Sequence, residues 1–277
     1  MKLGGPIFKE TRNPEEWMEE IKRLGYRAAS CPLEPEAPDD VVAAYEKIAE
    51  VEGIVISETG GWSNPISPHE EVRRAAITKC VDQLALADRI GARCCVNIGG
   101  SLGEKWDGPF NRDLTPEAFH LVVESVRKII DAVKPSRTFY TLETMPWMFP
   151  DSPDSYLDLL LAIDRKAFAV HLDPINMLCT PRRCFDTGSF LRECFEKLGP
   201  YIKCCHAKDV KMGDRLTLHL EEVTPGQGCM DFRTFFRELS RLEPTTPVMI
   251  EHLADDAEYA TAFQYLTGLA AEEEVPL

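Results

Sequence analysis

Glu143, Asp173, His206 and Glu251 end four successive apolar runs: Phe-Tyr-Thr-Leu-Glu, Val-His-Leu-Asp, Cys-Cys-His and Val-Met-Ile-Glu. A carboxylate at the end of a buried strand is costly unless something pairs with it. Four such groups ask for one shared partner, and a divalent cation is the simplest. Three carboxylates and an imidazole make an oxygen-rich donor set, which suits Mn²⁺, Mg²⁺ or Co²⁺ better than a thiolate zinc site. An ion held this way polarises a carbonyl, and the carboxylates beside it can carry protons.

The elements that must deliver these groups follow from the pattern. Eight strand-like runs alternate with helical stretches: Leu3–Phe8, Arg27–Pro32, Ile54–Glu58, Arg93–Ile98, Phe139–Glu143, Phe168–Asp173, Ile202–His206 and Val248–His252. Asn13-Pro14-Glu15-Glu16, Pro68-His69-Glu70-Glu71, Thr115-Pro116-Glu117 and Asp151-Ser152-Pro153-Asp154 read as helix starts, with proline near the first turn and acids at the N-terminus. Eight such units predict an α/β fold closed as a single (β/α)8 TIM barrel over residues 1–277, the acidic stretch 270–277 fraying. The ligand-type residues are spaced by 173 − 143 = 30, 206 − 173 = 33 and 251 − 206 = 45 positions. The first two are single repeats; the third holds a longer polar segment, Lys211–Phe232. In such barrels chemistry sits at the C-terminal strand ends, where all four groups fall.

Charge and cysteine use narrow the classes. A net charge of −15 over 277 residues disfavours a nucleic-acid backbone or an anionic membrane surface as partner. No apolar run approaches a membrane span, and no secretory signal opens the chain, which makes a cytoplasmic setting the expectation. The ten cysteines include adjacent pairs, Cys94-Cys95 and Cys204-Cys205, inside strand-like runs, and read as free buried thiols. A small-molecule partner is the remaining class, and nothing marks an interface even if the barrel forms homo-oligomers.

Leu142-Glu143-Thr144, His171-Leu172-Asp173-Pro174-Ile175-Asn176, His206-Ala207-Lys208-Asp209, Pro225-Gly226-Gln227-Gly228 and Ile250-Glu251-His252 together resemble the sugar phosphate isomerase/epimerase family of xylose-isomerase-like TIM barrels. The likeness is strong from Phe139 onward and topological before it. It implies one divalent metal, Mn²⁺ foremost, bound by Glu143, Asp173, His206 and Glu251. It also implies that the two glutamates act as an acid/base pair on a ketose or keto-sugar, through an enediolate. Lyases and dehydratases acting on 3-keto-glycosides or keto-inositols share the superfamily and form the alternative. The pattern departs from the epimerases at Asn176, where they commonly carry histidine, and at Met212-Gly213, near where they often carry arginine. An apurinic-site nuclease of the same superfamily fits poorly with six histidines, mostly away from strand ends, and a sugar sensor without turnover is the non-enzymatic competitor.

Among supporting residues, Trp62, Trp147, Asn176 and Lys208 are expected to contact substrate. Trp62, Trp106 and Trp147 follow strands and would offer flat apolar faces at the barrel mouth. Lys208 would either polarise a substrate oxygen or pair with a ligand carboxylate. His171 reads as a core histidine, and His252 as pointing toward the helices unless the strand has already ended. Gly99-Gly100-Ser101 and Pro225-Gly226-Gln227-Gly228 offer backbone amides to an anion, but their acidic surroundings favour a phosphate-free substrate. Arg182-Arg183 is the local basic pair.

Overall fold

A computed structural model describes residues 1–277. The strands are β1 (Lys2–Gly4), β2 (Ala28–Ala29), β3 (Val55–Ile56), β4 (Glu58–Gly60), β5 (Cys94–Asn97), β6 (Phe139–Glu143), β7 (Phe168–Leu172), β8 (Ile202–Ala207), β9 (Asp209–Met212), β10 (Leu220–Val223) and β11 (Pro247–Ile250). The helices are α1 (Pro14–Leu24), α2 (Asp39–Glu52), α3 (Glu70–Ile90), α4 (Pro116–Val133), α5 (Pro153–Ile163), α6 (Pro181–Phe185), α7 (Thr187–Leu198), α8 (Phe232–Leu239) and α9 (Asp256–Glu272). All strands but β9 and β10 form one parallel sheet, in the order β3-β2-β1-β11-β8-β7-β6-β5-β4. Its two edges, β3 and β4, are separated only by Ser57. They are two halves of one strand: the first pairs with β2 and the second with β5. The sheet therefore closes on itself as an eight-stranded barrel with helices outside.

Each expected strand is present, and the helix starts form as their residues dictate. The Asn13 side chain accepts from Glu16 N at 2.8 Å, and Thr115 caps α4 in the same way. Ser152 and Ser155 form a reciprocal capping box on α5. The main core lies between sheet and helices and joins 59 buried residues. A smaller cluster of Ala28, Cys94, Cys204 and Met249 fills the barrel interior. All ten cysteines are free, and only Cys179 is exposed.

Two expectations need correction. The stretch 270–277, expected to fray, makes contacts: α9 runs to Glu272, Val275 is buried, and Pro276 O accepts from the Met1 amino group at 3.1 Å. Its acidity misleads, because Val275 has apolar surface to cover and Arg233 and Arg237 pair with Glu272 and Glu273. The segment after β8, where Thr217–Leu220 alternates like a short strand, carries its strand slightly later: β10 pairs antiparallel with β9 as a hairpin, with Leu220 opposite Met212 and Val223 opposite Asp209.

Candidate metal centre

Strands β6, β7, β8 and β11 bring Glu143, Asp173, His206 and Glu251 to one end of the barrel. Their ligand atoms all lie within 4.8 Å of one another. A bulge between β7 and β8 at Val170–His171 adjusts this part of the rim. Tyr156 reaches in from α5 beneath it, its buried hydroxyl 2.6 Å from Leu142 O and 3.0 Å from Ala169 O.

Each of these side chains is aimed by a different device. Asp173 ends its strand in a tight turn, where its Oδ1 accepts from Ile175 N at 3.0 Å and Asn176 N at 3.3 Å. That leaves Oδ2 pointing into the cluster. Glu143 Oε1 accepts from Asn176 Nδ2 at 3.1 Å, and the same amide holds Thr144 O at 3.0 Å. His206 turns Nδ1 toward the acids, 2.5 Å from Glu251 Oε1 and 3.1 Å from Glu143 Oε1. Its Nε2 faces Glu58 Oε1 at 3.8 Å. Glu58 also lies 3.0 Å from His171 Nε2 and accepts from Cys204 Sγ. Sequence reasoning misses this carboxylate beneath the imidazole. Its only signal is an acid at the end of the third expected strand, Ile54–Glu58, in a run otherwise apolar save Ser57.

Lys208 is buried with its ammonium among the three acids, 2.7 Å from Asp173 Oδ2, 2.6 Å from Glu251 Oε1 and 3.3 Å from Glu143 Oε1. Burial alone would favour the neutral amine, but Asp173, Glu143 and Glu251 outweigh it and hold the lysine well above its usual range. Burial likewise acts to lower His206, yet Glu251 and Glu143 raise it well above the ordinary imidazole value. The carboxylates respond differently. Burial and the charge of Glu251 raise Glu143, whereas in Asp173 Lys208 and His206 overcome the cost of burial and hold the acid well below its normal range. For Glu251, burial is overcome mainly by His206, then Lys208, and its value falls to about 2.

The donor set fits a divalent ion. Donors at about 2.0–2.2 Å around one octahedral ion sit no more than about 4.4 Å apart, so shifts of a few tenths of an ångström would close this cluster on a cation. Asp173 Oδ2 and Glu251 Oε1 are buried and take no well-directed hydrogen bond, even from the lysine close by. Binding an ion through Nδ1 would require His206 to give up its proton; three carboxylates against one ammonium would then leave −3 + 1 = −2, a charge that one divalent ion would balance.

Above the cluster opens a cavity of about 770 Å³. Glu143, Glu251, Trp62, Trp147 and Asn176 line it, whereas Asp173, His206 and Lys208 lie beneath its floor. Lys208 therefore touches the acids and not the open space. His252 is a correction: strand alternation points it at the helices, but β11 stops at Ile250. With φ 60° at His252 the chain turns, and its ring joins the cavity wall, 2.9 Å from Glu222 of β10. The glycine-rich loops are already engaged. Asp209 accepts from Val210, Gly226, Gly228 and Met230 amides at 2.8–3.0 Å, so the chain's own carboxylate fills the second nest. A Cβ at Gly228 would stand 2.2 Å from Asp209 Oδ1, which explains that glycine. At the first, Ser101 N bonds Asn64 and its hydroxyl bonds Asp113. Arg183 donates to Met177 O at 2.7 Å and lies over Phe190, outside the cavity lining.

A family model described as "Xylose isomerase-like TIM barrel" matches residues 18–269. The chain belongs to that family. No curated protein matches it in sequence. Its fold is similar to that of a 3-keto-D-glucoside 4-epimerase from E. coli (16% identity, TM-score 0.72, covering 97% of this chain and 99% of that one). It is also similar to a D-psicose 3-epimerase with D-tagatose from Clostridium cellulolyticum (17%, 0.71, 98% and 99%) and to an endonuclease IV from Thermus thermophilus (16%, 0.74, 98% and 100%). At these identities the likeness establishes the fold alone.

Proposed function

We propose that the protein is a divalent-metal-dependent isomerase or epimerase acting on a ketose or keto-sugar. The carrying observation is the division of the cluster: of the four ligand-type residues, the two glutamates border the cavity while Asp173 and His206 are sealed beneath it. Glu143, Asp173, His206 and Glu251 would hold the ion, which when bound supplies charge stabilisation to a carbonyl and its neighbouring hydroxyl. Mn²⁺ is the ion proposed, with Mg²⁺ or Co²⁺ as substitutes for the same hard donors.

Glu143 or Glu251 takes the proton from the carbon beside the carbonyl, and the C–H electron pair moves into an enediolate. The other glutamate returns a proton to the opposite face, giving the epimer, or to the neighbouring carbon, giving the isomer. Asn176 holds Glu143 in place through its amide, and Lys208 keeps the acids from repelling one another. Proton transfer of this kind contributes roughly 10²–10⁴-fold. Trp62 and Trp147 form walls against which the sugar C–H groups rest.

The test is incubation with Mn²⁺ and D-psicose, D-fructose or a 3-keto-glucoside in D₂O. Epimer or isomer formation with deuterium at the exchanged carbon is expected, and intact substrates without deuterium uptake would refute the reading. A second reading, a lyase or dehydratase removing the same proton and expelling a β-leaving group, is favoured by a cavity larger than one sugar ring needs. Release of an alcohol or water without a stereoisomer would select it.

A further inference from the structure

The cavity is divided by chemistry. Its polar groups at the cluster are Glu143, Asn176, Glu251 and His252, and Lys105, Asp107 and Glu222 interrupt a wall otherwise dominated by Trp62, Trp106, Trp147, Leu178, Leu218 and Leu220. About 770 Å³ lies in the upper part of the roughly 300–1,000 Å³ range that encloses drug-sized ligands, well beyond a lone monosaccharide. A free hexose is polar all round and would leave most of this wall facing water.

Two of the indoles are held in place. Trp62 lies against the end of β4, where a Cβ at Gly60 would meet its Nε1 at 2.6 Å, so the ring sits where only glycine permits. Trp147 donates from Nε1 to Asp107 O at 3.0 Å, which ties the loop after β6 to the loop carrying Trp106. Both rings remain partly exposed. Rigid, partly exposed aromatic faces bind a flat apolar partner at small entropic cost. The third side is the β9–β10 hairpin, whose Leu218 and Leu220 line the cavity and whose Glu222 is paired with His252 in the same wall.

From these observations we infer that the substrate is a keto-sugar bearing an apolar, ring-sized substituent, an aryl glycoside in chemical class. The sugar lies at the glutamates and the aryl group between the tryptophans and the hairpin. The inference rests on the proposed keto-sugar chemistry for the sugar half and on the cavity wall for the rest. It names the group that either proton-transfer reading must accommodate: as a spectator in epimerisation, as the departing alcohol in elimination. In elimination, a glutamate takes the proton beside the carbonyl, the enediolate oxygen re-forms that carbonyl as its C=C electrons shift to the next carbon, the bond from that carbon to the aryloxy oxygen breaks, and the aryloxide takes up the proton the glutamate had removed.

The experiment is calorimetric titration of the Mn²⁺-loaded protein with phenyl β-D-glucopyranoside and with methyl β-D-glucopyranoside, neither of which reacts. Burial of one phenyl ring predicts about tenfold or more tighter binding of the phenyl compound. In Trp62→Ala and Trp147→Ala that ratio should fall severalfold. Because it is taken within each variant, partial loss of folded protein does not alter it. Equal affinities in the wild type, or a ratio unchanged in both variants, would overturn the inference. Phenyl preference without turnover of any keto-sugar would remove the proposed proton-transfer chemistry and the sugar half of this inference, leaving only an aryl-binding wall; turnover with equal affinities would keep that chemistry and remove the aryl group.

Discussion

Asp173 and Asp209 are buried aspartates at the same end of the barrel, and their surroundings divide structure from chemistry. Asp209 receives four backbone N–H groups, two on each oxygen, and nothing further is asked of it. Burial still raises it, because amide dipoles offset only part of the lost hydration. Asp173 uses Oδ1 in the same way, on Ile175 and Asn176, but turns Oδ2 into a cluster of acids and cations where no directed hydrogen bond completes it. A fully satisfied carboxylate is part of the scaffold. One satisfied on one side only is available to a ligand.

Removing the metal separates the two aspartates most directly. Chelation is expected to abolish turnover, and Mn²⁺ should restore it while raising the unfolding temperature. An ion at a thousand times its Kd adds about 4 kcal/mol. Scanning calorimetry with and without Mn²⁺ checks this, and no shift in the wild type would remove the metal centre. Asp173→Ala should lose that shift. Asp209→Ala should keep it.

Next in size is replacement of the cavity-facing glutamates. Glu143→Gln and Glu251→Gln should each lower kcat by roughly 10²–10⁴-fold, read as deuterium wash-in under single-turnover conditions. Full activity in both would leave them as ligands at most. Asp209→Ala, in contrast, should act on stability, at about 2 kcal/mol, because the buried Val210 and Met230 amides and the more exposed Gly226 and Gly228 amides lose a charged acceptor. Chemical denaturation measures it, and an unchanged midpoint would mean that water replaces the carboxylate easily.

A finer division runs through Glu58, which faces His206 from the side away from the acids. Glu58→Gln is expected to weaken Mn²⁺ about 10–100-fold, since a partner that orients a ligating histidine typically matters by that much. Competition titration with a fluorescent chelator reads it. An unchanged affinity would place Glu58 with Asp209, as packing for His171 alone.

The eight strands and the ligand-type residues are legible along the chain because hydrophobic runs, caps and a terminal acid are local signals. Asn13, Thr115 and Ser152 cap their helices through contacts spanning only three residues. His252 is misread in the sequence because strand alternation does not hold past the end of β11, and only the turn at positive φ redirects it. Glu58 escapes notice because its partners, His171 and His206, lie 113 and 148 positions away. The fate of the Pro225-Gly226-Gln227-Gly228 loop is equally hidden, since an anion-binding nest looks the same in a chain whether or not a distant aspartate fills it.

Residue order settled which side chains end strands, because apolar periodicity and single-residue chemistry act over a few positions. Closure through the split strand at Ser57 settled what those side chains meet. It sets the distances within the acid cluster, seals Lys208 below the cavity and places tryptophans from separate loops around one space. Such contacts join groups tens to hundreds of residues apart, and their energies depend on separation and burial, which exist only once the barrel is closed.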